Sequence, residues 1–179
     1  WERYAFGGDR AWLQSTAYPL MKGAAEFALD WLVVAPDGFL VTAPSTSPEN
    51  QYKTPDGYVG SVSVMTTSDL ALIRGALLNV VEASELLGVD SAFRGRVQAA
   101  LAKLPPYKIG RLGNLQEWYL DWDDQDPQHR HVSHLIGLYP DDQINAFEKL
   151  NPDITIKQEG LAWGDLEAKL TASLAAGAP

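Results

Sequence analysis

Thr67-Ser-Asp-Leu-Ala-Leu-Ile-Arg-Gly-Ala-Leu-Leu-Asn-Val-Val-Glu-Ala-Ser-Glu-Leu-Leu87-Gly88 is the longest uninterrupted helical pattern in the chain. Thr67, Ser68 and Asp69 are residue types that open helices. Leu70, Ile73, Leu77, Val80, Val81 and Leu87 then recur on or near one face, and Gly88 supplies the residue that most readily leaves a helix. A single apolar stripe must be covered by another element, so this helix predicts partner helices.

Outward from it, two further stretches have the same period. Residues 10–34 carry Trp12, Leu13, Leu20, Met21, Ala24, Phe27, Ala28, Trp31 and Leu32 behind Gly7-Gly8 and an Asp9 cap. Pro19 should kink this helix or start a second one, because it lacks an N–H and disfavours a helical residue before it. Asp90 or Ser91 caps another helix to about Lys103, stopped by Pro105-Pro106. Val132 to Tyr139 predicts a short helix ended by Pro140, and Asp165 to Ala175 is the best helix of the tail. Trp1 to Phe6 is amphipathic with no cap in front of it, which reads as the end of a helix begun earlier in a longer protein.

Two long stretches interrupt the helices. Residues 35–66 contain the turn sequences Pro36-Asp37-Gly38 and Pro55-Asp56-Gly57, with Phe39-Leu40-Val41 as a short strand between them. Residues 105–131 form a second loop-rich stretch. Connections of this length tend to carry function. The expected fold class is all-α, with helical hairpins, long loops and one short β-hairpin. Without a 34- or 40-residue repeat, a regular solenoid does not fit, and a helical toroid with its site on the loops does.

Composition narrows the partners. The 179 residues are 46% hydrophobic and hold 23 acids against 14 bases, a formal charge of -9. No basic stripe is present to neutralise phosphates, so nucleic acid is not an expected partner. No run approaches a membrane-spanning length, so no insertion is expected. Zero cysteines exclude disulfides and thiolate metal sites.

Chemistry concentrates in three places. In Ala43-Pro-Ser-Thr-Ser-Pro-Glu49-Asn50-Gln-Tyr52 the prolines stiffen the backbone and give Glu49 a fixed support. Packing among Tyr52 and Pro48 is expected to raise its pKa by desolvation, as a general acid needs; the plainer alternative is a solvated Glu on a surface linker. Gln116-Glu117-Trp118 precedes Trp122 and the acids Asp121, Asp123, Asp124 and Asp126. Aromatic faces suit sugar rings and carboxylates suit hydroxyls, although a core Trp118 beside a charged loop is the simpler explanation for that residue. All three histidines fall in His129-Arg-His131-Val-Ser-His134. Their spacing is not that of a zinc helix, and no calcium loop is formed by the acids, so no metal or other cofactor is expected. Hydrogen bonding to hydroxyls, with Arg130 as a rigid fork of donors, fits better.

The segments Ala43-Pro-Ser-Thr-Ser-Pro-Glu49-Asn50, Leu115-Gln-Glu-Trp118 and His129-Arg-His-Val-Ser-His-Leu-Ile-Gly-Leu-Tyr-Pro140, in this order, resemble glycoside hydrolase family 95. Tyr18-Pro-Leu-Met-Lys-Gly-Ala-Ala-Glu-Phe27 and Thr54-Pro-Asp-Gly57 resemble it too, so the likeness covers about residues 1–140. That family contains inverting alpha-L-fucosidases acting on alpha-1,2 linkages and some alpha-L-galactosidases.

The resemblance implies an (α/α)6 toroid, with residues 1–140 as part of the catalytic domain and 141–179 as a poorly matched tail. It implies Glu49 as general acid, Asn50, Arg130 and His131 as sugar-binding residues, and Glu117 with Trp118 in the pocket or just behind it. The substrate would be a fucosylated oligosaccharide and the parent protein secreted or periplasmic. The family's catalytic base is an Asp far downstream, helped by an upstream Asn pair; neither segment occurs here, and Asp123 and Asp126 are only candidate carboxylates. Half a toroid would leave helix faces uncovered, which predicts self-association. Rival expectations are a non-catalytic carbohydrate-binding helical domain and a polysaccharide lyase or sugar phosphorylase. The charge of -9 disfavours the basic groove a lyase needs.

Overall fold

The helix read at residues 67–87 forms the centre of the structure. In the computed structural model, which describes residues 1–138, the elements run α1 (Glu2–Gly7), α2 (Arg10–Trp12), a π-helical turn (Leu13–Ala17), α3 (Tyr18–Trp31), β1 (Leu32–Val34) and β2 (Leu40–Thr42). Then follow β3 (Tyr52–Lys53), β4 (Val59–Gly60), α4 (Thr67–Leu87), α5 (Ser91–Leu101), β5 (Asp123–Asp124) and a 3-10 turn (Ser133–Leu138). Among the described residues no helix is long and apolar enough to cross a membrane. The expected helix at Asp165 to Ala175, and the end of the one at Val132 to Tyr139, lie outside the described residues.

The N-cap of α4 is Thr66, one residue before the expected start, and its hydroxyl accepts from the Asp69 N–H. Gly88 closes the other end at φ 72°, its N–H bonded to Ser84 O at 3.0 Å. Leu70, Ile73, Leu77 and Val80 are buried along one stripe, with Val81 and Leu87 packed at its margin. That stripe meets α3, α5 and the 3-10 turn. Leu13, Ala17, Ala25 and Ala28 come to the core from the α2–α3 side, and Phe93 and Val97 come from α5. Area-based burial of such side chains is worth about 1.5–3 kcal/mol each.

Pro19 acts as expected, by an unexpected device. The backbone widens into a π-turn just before it, with Tyr18 N–H bonded five residues back to Leu13 O. Pro19 then sits in the first turn of α3, where a missing N–H leaves no gap in the ladder. Asp9 caps α2 as read, accepting from Trp12 N at 2.9 Å. Asp90, one of the two candidate caps of the next helix, holds the position but not by its side chain. It stands at the N-cap of α5 in a left-handed conformation and makes no side-chain cap bond. Its carboxylate instead accepts from Tyr18 Oη at 3.0 Å and Lys22 Nζ at 2.7 Å, tying the start of α3 to the α4–α5 turn.

The all-α expectation needs a correction, since two small sheets accompany the helices. The predicted hairpin exists: Leu32 pairs with Thr42, Val33 with Val41 and Val34 with Leu40 across the Pro36-Asp37-Gly38 turn. It takes residues 32–34 away from the expected helix, because β-branched Val33 and Val34 gain cross-strand partners there. The second sheet has the order β4-β3-β5 and was not foreseen. Tyr52 pairs with both Gly60 and Asp124, so this sheet stitches the two long loops together. Gly60 leaves room for the Tyr52 ring, as a Cβ there would stand 2.6 Å from Tyr52 Oη.

Leu20 and Phe27 on α3 and Leu72 and Leu78 on α4 are exposed. Replacing Leu77, 0% exposed, by Ala should lower stability by about 2–5 kcal/mol in urea unfolding followed by circular dichroism. Leu72→Ala, at a position 56% exposed, should change it by less than about 0.5 kcal/mol.

Candidate active site

The first turn of α4 carries both loops. Asp69 Oδ2 accepts the Thr42 hydroxyl at 3.0 Å and the Ser45 hydroxyl at 2.6 Å, while Ser45 Oγ accepts the Thr66 N–H at 2.9 Å. Thr67 N–H donates to Glu117 O at 2.9 Å, and the Thr67 hydroxyl donates to Gln116 O at 2.5 Å. From these anchors residues 45–50 run with alternate side chains turned inward. Ser45, Ser47 and Asn50 are buried, whereas Thr46, Pro48 and Glu49 are exposed.

Glu49 stands at the tip of a turn. Asn50 N–H returns to Ser47 O at 3.1 Å, Pro48 takes the second position and Glu49 the third, at φ 54°. A positive φ at that position ordinarily selects Gly or Asn, and a Glu there costs on the order of 1 kcal/mol. The strain is held by the buried neighbours and aims the carboxylate into solvent. There Glu49 Oε2 meets His131 Nε2 at 2.8 Å and pairs with the Arg130 guanidinium.

Of the two environments expected for Glu49 the solvated one is found, and the desolvated one, with its raised pKa, is corrected. Its side chain is 63% exposed, and the hydrogen bond from His131, with the positive charge of Arg130, holds the carboxyl below the usual glutamate range. Tyr52, expected beside it, is buried and engaged elsewhere. Its ring stacks on Trp122 at 4.2 Å between centroids and meets Trp118 edge-on at 5.1 Å.

Trp118 takes the core place that was its simpler reading, which corrects the expectation of a sugar-binding role. It is 2% exposed, with Nε1 donating to Asp124 Oδ1 at 3.1 Å, so neither ring face is open to a sugar. Glu117 is 6% exposed. Oε1 accepts from Ser47 Oγ at 2.5 Å and Asn50 Nδ2 at 3.0 Å, and Oε2 lies 3.1 Å from His134 Nδ1, outside hydrogen-bonding geometry. Burial alone would push this carboxyl up, but His134, Ser47 and Asn50 together outweigh it and hold it low. Asn50 is 4% exposed and also donates to Asp124 Oδ1 at 3.3 Å. Asn50, Glu117 and Trp118 thus lie behind the exposed group formed by Glu49, Arg130 and His131.

The remaining acids of the loop separate by partner. Asp121 and Asp123 pair with Arg111, and Asp126 accepts from Gln128 N–H at 2.9 Å. Asp124, which the sequence did not single out, is half-buried. Burial raises its carboxyl pKa against the hydrogen bond from Trp118, and the Glu117 charge adds to the rise. The prolines at 44 and 48, which stiffen the segment before it, were the signal available for Glu49. Nothing in the spacing marked Asp124 or Ser47.

The histidines do not converge. His131 faces Glu49, His134 faces Glu117, and the His129 ring lies 5.2 Å from that of His131 at 60°. Among the described residues no group of three or more His, Cys, Asp or Glu side chains is placed to hold a metal ion.

A helical frame that presents one carboxylate beside a guanidinium and an imidazole, with a second layer of acids beneath, suits proton transfer to a hydroxylated substrate. The comparisons give that chemistry a family. The model for the glycosyl hydrolase family 95 catalytic domain matches residues 1–156. The chain is 46% identical over 147 residues to "Alpha-L-fucosidase 2" of Arabidopsis thaliana, covering 82% of this chain and 17% of that protein. It is 34% identical over 160 residues to "Probable alpha-fucosidase A" of Aspergillus niger, covering 87% of this chain and 20% of that protein. The chain belongs to glycoside hydrolase family 95. It spans a fifth or less of the length of these two relatives.

Because the Glu49 carboxyl is held low, its contacts stabilise the loop above the ordinary glutamate range and are lost only as pH falls through the depressed value. Carboxyl-carbon NMR should place the Glu49 midpoint below that of a glutamate in a model peptide. His131→Gln should return it upward more than Arg130→Gln does. A midpoint insensitive to both would contradict the pairing.

Proposed function

We propose that this chain is the acid-bearing part of an inverting alpha-L-fucosidase that removes terminal alpha-1,2-linked fucose from oligosaccharides, with Glu49 as general acid. The observation that carries this is Glu49 itself, an outward carboxylate on a turn whose neighbours Ser47 and Asn50 are buried and bonded. The printed names of the relatives, both fucosidases, support the sugar.

In the sugar-free state Glu49 is ionised and shared between His131 and Arg130. Fucose hydroxyls are acceptors for the Arg130 fork and for His131. A docked sugar therefore draws these donors from Glu49 and excludes water around it, and both changes raise the carboxyl's pKa. The protonated Glu49 then gives its proton to the glycosidic oxygen as the bond to the anomeric carbon breaks. A water attacks that carbon from the opposite face and yields its proton to a second carboxyl, about 6.5–9.5 Å from the first.

By resemblance, that base and the water-positioning Asn pair lie on other segments of a full-length protein. Asp123 and Asp126 are already engaged with Arg111 and with the turn at Gln128. The exposed Leu20 and Phe27 of α3 and Leu72 and Leu78 of α4 are faces that further helices of a toroid would cover, and through which the chain alone would self-associate.

The purified 179-residue chain should release little or no fucose from 2'-fucosyllactose. In a full-length protein containing the segment, Glu49→Gln should lower kcat on the order of a hundred- to ten-thousand-fold. Fucose release that survives Glu49→Gln sinks this assignment.

A further inference from the structure

We propose that Glu117 is the positioning residue for Glu49: its two carboxylate oxygens set the distance between the acid turn and the segment that carries Arg130 and His131. This rests on Glu49 being the proton donor.

The geometry divides cleanly. Oε1 faces the acid turn, accepting from Ser47, two residues before Glu49, and from Asn50, the residue after it. Oε2 faces the other side, 3.1 Å from His134, three residues beyond His131. The Glu117 backbone is itself fixed, since its carbonyl accepts the Thr67 N–H at the start of α4. One rigidly held carboxylate therefore stands between the acid turn, which it grips through two hydrogen bonds, and His134, which it meets at 3.1 Å without one.

A purely structural role explains this poorly. A buried carboxylate is expensive to desolvate, and an apolar or neutral side chain of the same volume usually serves stability as well or better. What the charge adds is direction, because charge-assisted hydrogen bonds are short and specify orientation. Asn50 reinforces it: Nδ2 donates to both Glu117 and Asp124, while Oδ1 accepts the Gln51 N–H at 2.8 Å, so the amide has a single satisfied orientation. With Ser47 and Asn50 both held, Glu49 has no freedom to leave its positive φ. Glu117 makes no contact with solvent that a sugar would need, which separates its role from that of Arg130 and His131.

The test uses Glu117→Gln, which keeps the volume and removes the charge. In the 179-residue chain, carboxyl-carbon NMR should show the Glu49 midpoint rising toward the ordinary glutamate range, with the cooperative thermal transition retained. In a full-length protein containing the segment, kcat on 2'-fucosyllactose should fall about a hundredfold with KM little changed, the signature of a misplaced group rather than a lost sugar contact. A folded Glu117→Gln chain in which Glu49 titrates as before overturns the proposal. If Glu117→Gln does not fold, Ser47→Ala decides: it removes one donor to Oε1 and leaves the charge, so an upward shift of Glu49 supports the proposal and no shift overturns it. The two assignments fail separately. Activity that survives Glu49→Gln removes the proton donor but not the response of Glu49 to Glu117→Gln. Activity lost in Glu49→Gln, with Glu49 unresponsive to Glu117→Gln, removes only the positioning role.

Discussion

The first turn of α4 is where the structure converges. A helix begins with backbone N–H groups that have no partner within the helix, and burying them requires acceptors from elsewhere. Here Thr66 caps the turn, and Thr67 turns its N–H and hydroxyl outward to the carbonyls of Glu117 and Gln116. Asp69, one turn in, collects the hydroxyls of Thr42 and Ser45. Helix start, acid turn and aromatic loop thus share one hydrogen-bonded junction. The helix dipole favours the Asp69 carboxylate there, which helps it serve as a common acceptor.

The site follows from how charge is distributed around that junction. Two carboxylates, buried Glu117 and half-buried Asp124, are bridged by one amide, Asn50. Burial acts on both, yet their pKa values move in opposite directions. Glu117 has enough donors to stay low, and Asp124, with fewer and with Glu117 beside it, moves up. The third carboxylate, Glu49, is left outside and depends on Arg130 and His131 for its charge. In the proposed mechanism a proton donor that rests ionised on Arg130 and His131 would couple sugar docking to its own protonation, since the groups proposed to bind the sugar are those that hold the proton off.

Much of the helical frame was legible. The apolar stripe of α4, the Asp9 cap, the interruption at Pro19 and the hairpin around Pro36-Asp37-Gly38 all follow from periodicity and turn chemistry, which are local. Asp90, one of two residues read as the cap, does stand at the N-cap of α5, but its carboxylate is taken by Tyr18 and Lys22. Those residues lie some seventy positions away, and no local pattern records them. The second sheet escaped for the same reason: two-residue strands such as Tyr52–Lys53 and Asp123–Asp124 carry no periodicity, and exist only because the loops meet. Glu49 was found through its stiff, proline-framed support, but the sequence left open whether it is desolvated or solvated; it is solvated, because Tyr52, close to it in sequence, packs against Trp122 instead.

By itself the sequence determined most of α3, α4 and α5, the two long loops and, through three ordered motifs, the family. These are properties of short segments: amphipathic period, caps, turn residues and motif spacing. Tertiary structure decided which charged groups are solvated and which are buried. It placed Trp118 in the core, gave Glu117 to the inside of the acid turn and left Glu49 outside with Arg130 and His131. The physical reason is that solvation and charge pairing depend on what lies across a few ångströms of space, and residues 49, 117 and 131 become neighbours only when both loops are tied to one helix end.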